Sequence, residues 1–374
     1  MYKKYWLFIM AALLLPTLGV ADDAQAPQTT LSNLKISGYL DGSYNYLVNS
    51  NQFISGVNDR VYDLDPNSAT LQQAAITIAD QPTQGFGGLL NLMAGRDALT
   101  SASYGDNPNT GIHDFGFDPV QVFLQYAIGK FTIIAGKFNT IVGEEALDPT
   151  INTNFSRSII YGYAEPGTFT GVRGTYAVND KLNFTLGVDN GWDNIRDTSR
   201  VKTLEWGVSY IINPMFSFST QGYTGEERAT EDVSSGPTGW RSLIDVIGTM
   251  NATQKLTFVA NYEYAWQTNA LLPSGVDASA TWTGIAGYIN YKFNDHWRTS
   301  LRAEDFDDEQ GFRTGVRQNW QEVTLTVGYA PIKDFELRVE TRHDFSNVDS
   351  FLASDGIAVR NNQQSYALEG VYKF

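Results

Sequence analysis

The sequence predicts an all-β fold, a transmembrane antiparallel β-barrel of about 16 strands with short periplasmic turns and long external loops. Three observations predict it. Apolar and polar residues alternate with a period of two, in runs of roughly ten residues repeated to the C-terminus. The connections between runs alternate short and long. The chain ends on an aromatic residue, Phe374, inside its last run.

The N-terminus is a separate matter. Residues 1–21 combine Lys3 and Lys4, an apolar run from Tyr5 to Leu15, Pro16, and the small Gly19-Val20-Ala21. That is the layout of a cleaved secretory signal peptide, with the cut expected after Ala21. A cut after Ala26 would leave Pro27 next to it and is the weaker choice. A membrane helix needs about 20 apolar residues, and this run is shorter and ends at a proline. Residues 22–33 are expected to form a short periplasmic segment, and 34–374 a single barrel without linker or shift in composition. The chain has no cysteine. An exported protein without disulfides needs another restraint, and barrel closure pairs every strand with two neighbours.

Charge narrows the partners. With Lys3 and Lys4 removed, 24 basic side chains remain against 41 acidic, a net charge of −17. Such a balance argues against nucleic acid.

The first run shows the pattern. Leu34, Ile36, Gly38, Leu40, Gly42, Tyr44 and Tyr46 share one face, and Lys35, Ser37, Tyr39, Asp41, Ser43 and Asn45 the other. A helix would scatter both sets around its circumference. Further runs follow at 69–79, 86–97, 120–128, 131–139, 168–177, 182–189, 203–211 and 216–223. The series continues at 241–250, 255–266, 281–293, 297–305, 320–329, 335–344 and 364–374. In 255–266, Leu256, Phe258, Ala260, Tyr262, Tyr264 and Trp266 face one way, and Asn261 and Glu263 the other. Runs 69–79, 86–97 and 131–139 alternate poorly, which leaves 14 or 18 strands open.

Short turns are expected near Gln81-Pro82, Gly129-Lys130, Asn179-Asp180, Asn213-Pro214, Asn251-Ala252, Asn294-Asp295 and Pro331-Ile332. Several put Gly, Asn or Asp where a tight hairpin needs positive φ. Long loops fall at 98–119, 140–167, 190–202, 224–240, 267–280, 306–319 and 345–363. Aromatics crowd the short-turn ends on the outward face: Tyr126, Tyr176, Tyr210, Phe216, Tyr291, Phe293, Trp297, Tyr329 and Phe335. Such rings suit the headgroup level of a bilayer. A soluble β-sandwich would bury them, but sandwiches do not alternate loop lengths over sixteen strands. The last strand ends Tyr366, Leu368, Gly370, Tyr372, Phe374. This resembles the signal read by the outer-membrane barrel-assembly machinery, carried chiefly by Tyr372 and Phe374; Gly370 is one residue off the usual spacing.

If the apolar face meets lipid, the other lines the lumen. It carries Lys35, Asp41, Lys137, Arg173, Asp189, Glu205, Asp245, Glu263 and Lys292. Arg298, Arg302, Glu304, Glu322, Glu336, Arg338, Glu340, Arg342 and Asp344 complete it. A dry core would charge several kcal/mol per ion, which a wet interior avoids. These groups either brace the wall as ion pairs or select solutes. The long loop 140–167 is expected to fold inward, with Glu144, Glu145, Asp148 and Arg157 setting field and size at a constriction. The alternative is an external loop packed on the rim or on a neighbouring subunit.

Catalytic and cofactor chemistry finds little here. The three histidines, His113, His296 and His343, show no metal-ligand spacing and read as surface residues. Gly85-Phe86-Gly87-Gly88 opens a strand, so it is no phosphate loop. No cofactor, metal or enzymatic activity is expected.

Several stretches, in order, resemble the beta-barrel porin-2 family, the OmpL-like group. They are Ile36-Ser37-Gly38-Tyr39-Leu40-Asp41-Gly42, Ala135-Gly136-Lys137-Phe138 into Gly143-Glu144-Glu145, and Asn154-Phe155-Ser156-Arg157-Ser158. Glu165-Pro166, Thr170-Gly171-Val172-Arg173, Arg302-Ala303-Glu304 and the run from Arg338 to Asp344 continue it. The resemblance covers nearly all of the mature chain and implies an outer-membrane barrel with a pore; the family's solutes are poorly defined. The expected function is passive diffusion of small hydrophilic solutes, with a mild cation preference from the acidic loops. The expected partners are outer-membrane lipid and lipopolysaccharide, the assembly machinery, and further copies of the chain in a trimer. An adhesin or structural barrel acting through its external loops is the alternative, and conductance separates the two.

Overall fold

Backbone pairing turns the alternation into a closed wall. The computed structural model describes residues 34–48, 59–112, 115–228, 238–275, 277–353 and 357–374. The leader, the 22–33 segment and His113 lie outside the described residues.

Sixteen antiparallel strands make the barrel. They are β1 (Lys35–Leu47), β2 (Ser68–Asp80), β3 (Gly85–Gly95), β4 (Phe115–Ile128), β5 (Phe131–Asn139), β6 (Thr168–Asn179), β7 (Leu182–Asp189) and β8 (Thr203–Ile211). The second half is β9 (Phe216–Arg228), β10 (Thr238–Asn251), β11 (Leu256–Leu271), β12 (Asp277–Lys292), β13 (Trp297–Asp308), β14 (Gln318–Ile332), β15 (Phe335–Ser346) and β16 (Asn362–Lys373). Each pairs with the next, and β1 closes on β16 from Tyr39↔Lys373 to Leu47↔Ser365. No edge is left unpaired, which a membrane wall requires.

The strands run past the expected ends on the long-loop side. Strand β9 continues through Glu226 and Glu227 to Arg228 because β10 keeps bonding it there, as Arg228↔Thr238 shows. Those residues have no apolar outward face, so alternation misses them. The seventh turn, expected at Pro331-Ile332, is instead Lys333-Asp334, since Ile332 still pairs with Phe335. Two of the three weakly alternating runs, 69–79 and 86–97, are also explained. Register shifts interrupt β1–β2 at Asp41/Gly42 and β3–β4 at Asn91/Met93. Inward Ala75 and Met93 bury apolar surface with Tyr39, Val120 and Leu147, so both faces read as apolar.

The chain's end is tied into the wall. The Phe374 N–H donates to Gly38 O and the Gly38 N–H to Phe374 O, both at 2.9 Å. A Cβ on Gly38 would lie 2.5 Å from both the Ala75 carbonyl and the Phe374 ring, so only glycine fits beneath that aromatic. The Tyr372 and Phe374 rings are exposed on the outward face.

The interior departs from a uniformly wet lumen. Its long-loop end holds an apolar cluster with Trp192, Trp282, Phe306, Trp320 and Phe351, all essentially inaccessible to solvent. Alternation aims Trp282, Phe306 and Trp320 inward, whereas Trp192 and Phe351 come from the loops. What it does not say is that loops fold in to cover them, and covering them stabilises each ring by a few kcal/mol. Lys35 and Lys292, expected on the wall, are exposed; they sit at the short-turn ends of β1 and β12.

Candidate functional site

Residues 140–167 lie inside the barrel. A non-helical loop has amides and carbonyls that need partners when buried, and its path follows where the wall supplies them. Leaving β5, the Ile141 N–H donates to the Tyr223 hydroxyl (3.1 Å) and the Gly143 N–H to Asp245 Oδ2 (3.1 Å). The Glu144 N–H reaches Asn261 Oδ1 (3.2 Å). Glu145 then pairs with Arg302 at 2.6 Å. The loop descends to the short-turn mouth, where Asp148 and Thr150 border a cavity of about 290 Å³ with Ser37, Asp334, Lys373 and Phe374. It climbs back along β13–β15, forms one π-helical turn at Ile160–Ala164, and leaves through Glu165 and Pro166 into β6.

The climb is held by the alternating Arg and Glu of β13 and β15. The arginines donate to loop carbonyls: Arg298 Nη1 to Thr153 O (2.7 Å), Arg338 Nη2 to Pro149 O (3.0 Å), Arg302 Nη1 to Ser156 O (2.7 Å) and Arg342 Nη1 to Arg157 O (2.6 Å). The glutamates accept from loop amides. Glu340 takes the Phe155 and Ser156 N–H groups (2.7 and 3.0 Å), and Glu304 takes those of Ile159 and Ile160 (both 3.1 Å). The charges also satisfy one another. Arg302 Nε lies 2.7 Å from Glu322 and 3.2 Å from Glu304, Arg338 pairs with Glu336 and Glu369, and Arg298 grips Glu336 with two nitrogens. Charge-assisted bonds of this kind are the strong ones. Burial that would be prohibitive for single ions is offset by this pairing.

Two further wall cations pair locally. Lys137 Nζ sits 2.9 Å from both Asp106 and Asp118. Arg173 binds Glu205 at 2.7 Å and lies 4.1 Å over the Phe138 ring.

The four loop residues singled out in the sequence separate into two kinds. Glu145 and Arg157 are buried. Glu145 is bound to Arg302 and accepts the Ser158 N–H (2.7 Å). Arg157 donates to Leu147 O (2.7 Å) and stacks 5.9 Å from both the Tyr62 and Tyr161 rings. Neither faces open space. Glu144 is exposed within the barrel and Asp148 is half-buried. The enclosing protein, and then Glu145 and Asp245, push the Glu144 carboxyl up to about 7.

Sequence reasoning missed a second inward segment. Arg60, between β1 and β2, binds Asp344 (2.6 Å) and Asp63 (2.7 Å), and the Tyr62 ring lies 5.7 Å from that of Tyr161. Arg60-Val61-Tyr62-Asp63 matches no motif, and only its charges flanking an aromatic hint at burial. His296 and His343 are exposed, as surface histidines would be. Among the described residues, no group of acidic or histidine side chains is arranged to hold a metal ion.

The comparisons agree on the architecture. A family model described as "Putative beta-barrel porin-2, OmpL-like" matches residues 33–374. No curated protein matches the chain significantly. Among solved structures it is similar to the outer membrane channel DcaP of Acinetobacter baumannii, at 13% identity and a TM-score of 0.61, covering 91% of this chain and 97% of that one. It is also similar to the trimer form of Vibrio cholerae OmpT, at 12% identity and a TM-score of 0.60, covering 91% and 99%. An anion-selective porin from Comamonas acidovorans, at 10% identity and a TM-score of 0.57, covers 91% and 99%. At these identities the likeness is one of fold.

Proposed function

The chain belongs to the OmpL-like beta-barrel porin-2 family, and from that premise we propose that this outer-membrane porin passes small hydrophilic solutes by passive diffusion, with a mild preference for cations. Family and fold are those of a channel rather than an enzyme. The observation that carries the selectivity is the pair of loop carboxylates bordering open space, Glu144 within the barrel and Asp148 at the cavity of about 290 Å³. In this reading loop 140–167 is the constriction. Glu144 and Asp148 act on the solute, while Glu145 and Arg157 hold the loop's shape. Lys137, Arg173, Arg298, Arg302, Glu304, Glu336, Arg338, Glu340 and Arg342 brace loop and wall and do not select solutes; their complete pairing supports this.

Reversal potential in a salt gradient tests the proposal. Changing Glu144→Gln and Asp148→Asn together should lower the cation preference and alter the conductance. With Glu144 pushed up to about 7, its negative charge is complete only above neutral pH, so the wild-type preference should strengthen as pH rises. Screening over about 8 Å at physiological ionic strength makes it fade in high salt. Wild-type reversal potential and conductance in the double variant would sink the constriction reading.

Further expectations go with this function. Residues 1–21 act as the cleaved leader and 22–33 as a periplasmic lead-in, and the outward belt meets lipid and lipopolysaccharide. A homotrimer is the expected assembly, the solved trimer form of OmpT being the supporting likeness. Tyr372 and Phe374 form the signal for the assembly machinery. Deleting Phe374 should reduce the folded, heat-modifiable protein in the outer membrane while export continues; normal outer-membrane levels would refute the signal.

A further inference from the structure

The loop's two ends meet the wall in an acidic pocket. Glu165, where the loop returns to β6, is buried, and Glu263 on β11 is inaccessible to solvent. The two carboxyl groups lie close enough to share a proton. Among the described residues, none of their four oxygens accepts a hydrogen bond from an N–H or O–H group. Two carboxylates cannot share a hydrogen bond unless one carries a proton. Gly143 is packed against the pair, since a Cβ there would lie 2.2 Å from Glu165 Oε2. The loop's outgoing and returning limbs therefore close on each other through this contact.

The surrounding charges make the proton necessary. On β10, Asp245 is held as an acceptor by the Gly143 N–H and by Asn261 Nδ2 (2.5 Å). The nearest wall cation on that strand, Arg241, is turned to Gln267 and lies 4.8 Å over the Trp192 ring. On β12, Tyr288 donates to Glu145 (3.4 Å). On β9, Gln221 bonds Asp245 and Tyr223 donates to Glu205 (3.3 Å). Within the loop, Glu144 and Glu145 add negative charge, and Tyr161 is uncharged. Arg302 on β13 is committed to Glu145, Glu304 and Glu322. Among the described residues, none of these cations pairs with Glu165 or Glu263. Burial and Glu263 raise the Glu165 carboxyl well above the usual range, in keeping with the geometry.

We propose that the Glu165–Glu263 pair is a proton latch: one shared proton holds the loop's return limb against β10–β12, and its loss releases that limb. The closed state binds a proton that the released state does not, so rising pH favours release. With both groups ionised, two charges would stand in a pocket of low dielectric, facing Asp245. Ala164, next in the chain, is fully buried, and its carbonyl accepts from Trp282 Nε1 at 2.9 Å. Release would uncover it. Chain movement here does not depend on the constriction reading, because limb position and solute passage are measured separately.

The absence of cysteine allows a direct test. A single Ala164→Cys is placed in the full-length barrel, alone and together with Glu165→Gln, and labelled with a water-soluble methanethiosulfonate. The comparison between backgrounds cancels the thiol's own ionisation. Between about pH 5 and about pH 9, labelling of the parent should accelerate about tenfold more than labelling of the Glu165→Gln protein, whose amide N–H can donate to Glu263 with no shared proton to lose. If Glu165→Gln does not give a heat-modifiable barrel, Glu263→Gln replaces it and should flatten the profile in the same way. Superimposable pH profiles would overturn the latch. So would calcium slowing the labelling of the parent at high pH as fully as acid does, since the pocket would then take a metal ion rather than a proton.

Discussion

Two stretches of wall face the same loop in opposite ways. Strands β13–β16 meet its climbing limb with alternating Arg and Glu, and every charge finds a counter-charge, a carbonyl or an amide. Strands β10 and β11 meet its two ends with Asp245 and Glu263, and the loop answers with Glu144, Glu145 and Glu165. The first contact is an ion-pair lattice in which carboxylates meet guanidinium groups, and the guanidinium groups stay charged at any working pH. In the second, the proposed Glu165–Glu263 latch holds only while a proton is present. One loop is thus clamped permanently along one side and conditionally at the other. The difference shows that the number of buried charges matters less than whether both signs are supplied.

The largest effect should come from the centre of the clamped side. Arg302→Ala leaves Glu145, Glu304 and Glu322 without their shared cation and two loop carbonyl contacts unmade. Removing one partner of such a buried network destabilises by about 3–5 kcal/mol. The heat-modifiable transition on a gel should fall and protease should reach the loop. A variant with wild-type thermal behaviour and a protected loop would remove the contrast between the two walls. The latch substitutions should have smaller effects, confined to alkaline pH, because the clamped side persists. The smallest effect belongs to neither wall. Lys292 and Asp295 pair at 3.0 Å on the short-turn rim, both largely exposed. Surface pairs of this kind contribute little, so Lys292→Ala should leave gel mobility, conductance and pH response as they were. A clear change would mean that rim charge, not the interior, governs the loop.

Much of the wall was legible because alternation is local. In Phe335-Glu336-Leu337-Arg338-Val339-Glu340, the pleat alone decides that Leu337 and Val339 face lipid and that Glu336, Arg338 and Glu340 face in. The turns at Gly129-Lys130 and Asn179-Asp180 were legible through residues suited to tight hairpins. The site was legible only in part. Glu144 and Glu145 are adjacent, yet one faces open space and the other is buried on Arg302, 157 residues away. Nothing local distinguishes them. Arg60 was missed for the same reason: Asp344, its partner, is 284 residues distant.

The amino-acid sequence by itself determined the strand-by-strand wall, because a strand's two faces follow from the period of the pleat and the sign of each side chain's hydropathy. Only the closed tertiary structure decided what the inward residues meet. Closure sets β10–β11 and β13–β16 around one loop, so the same kind of inward glutamate becomes a backbone acceptor beside arginine at Glu340 and a proton-sharing partner at Glu263. A charge's worth in a low-dielectric interior depends on its neighbours, and those neighbours are brought together by pairing across the whole chain.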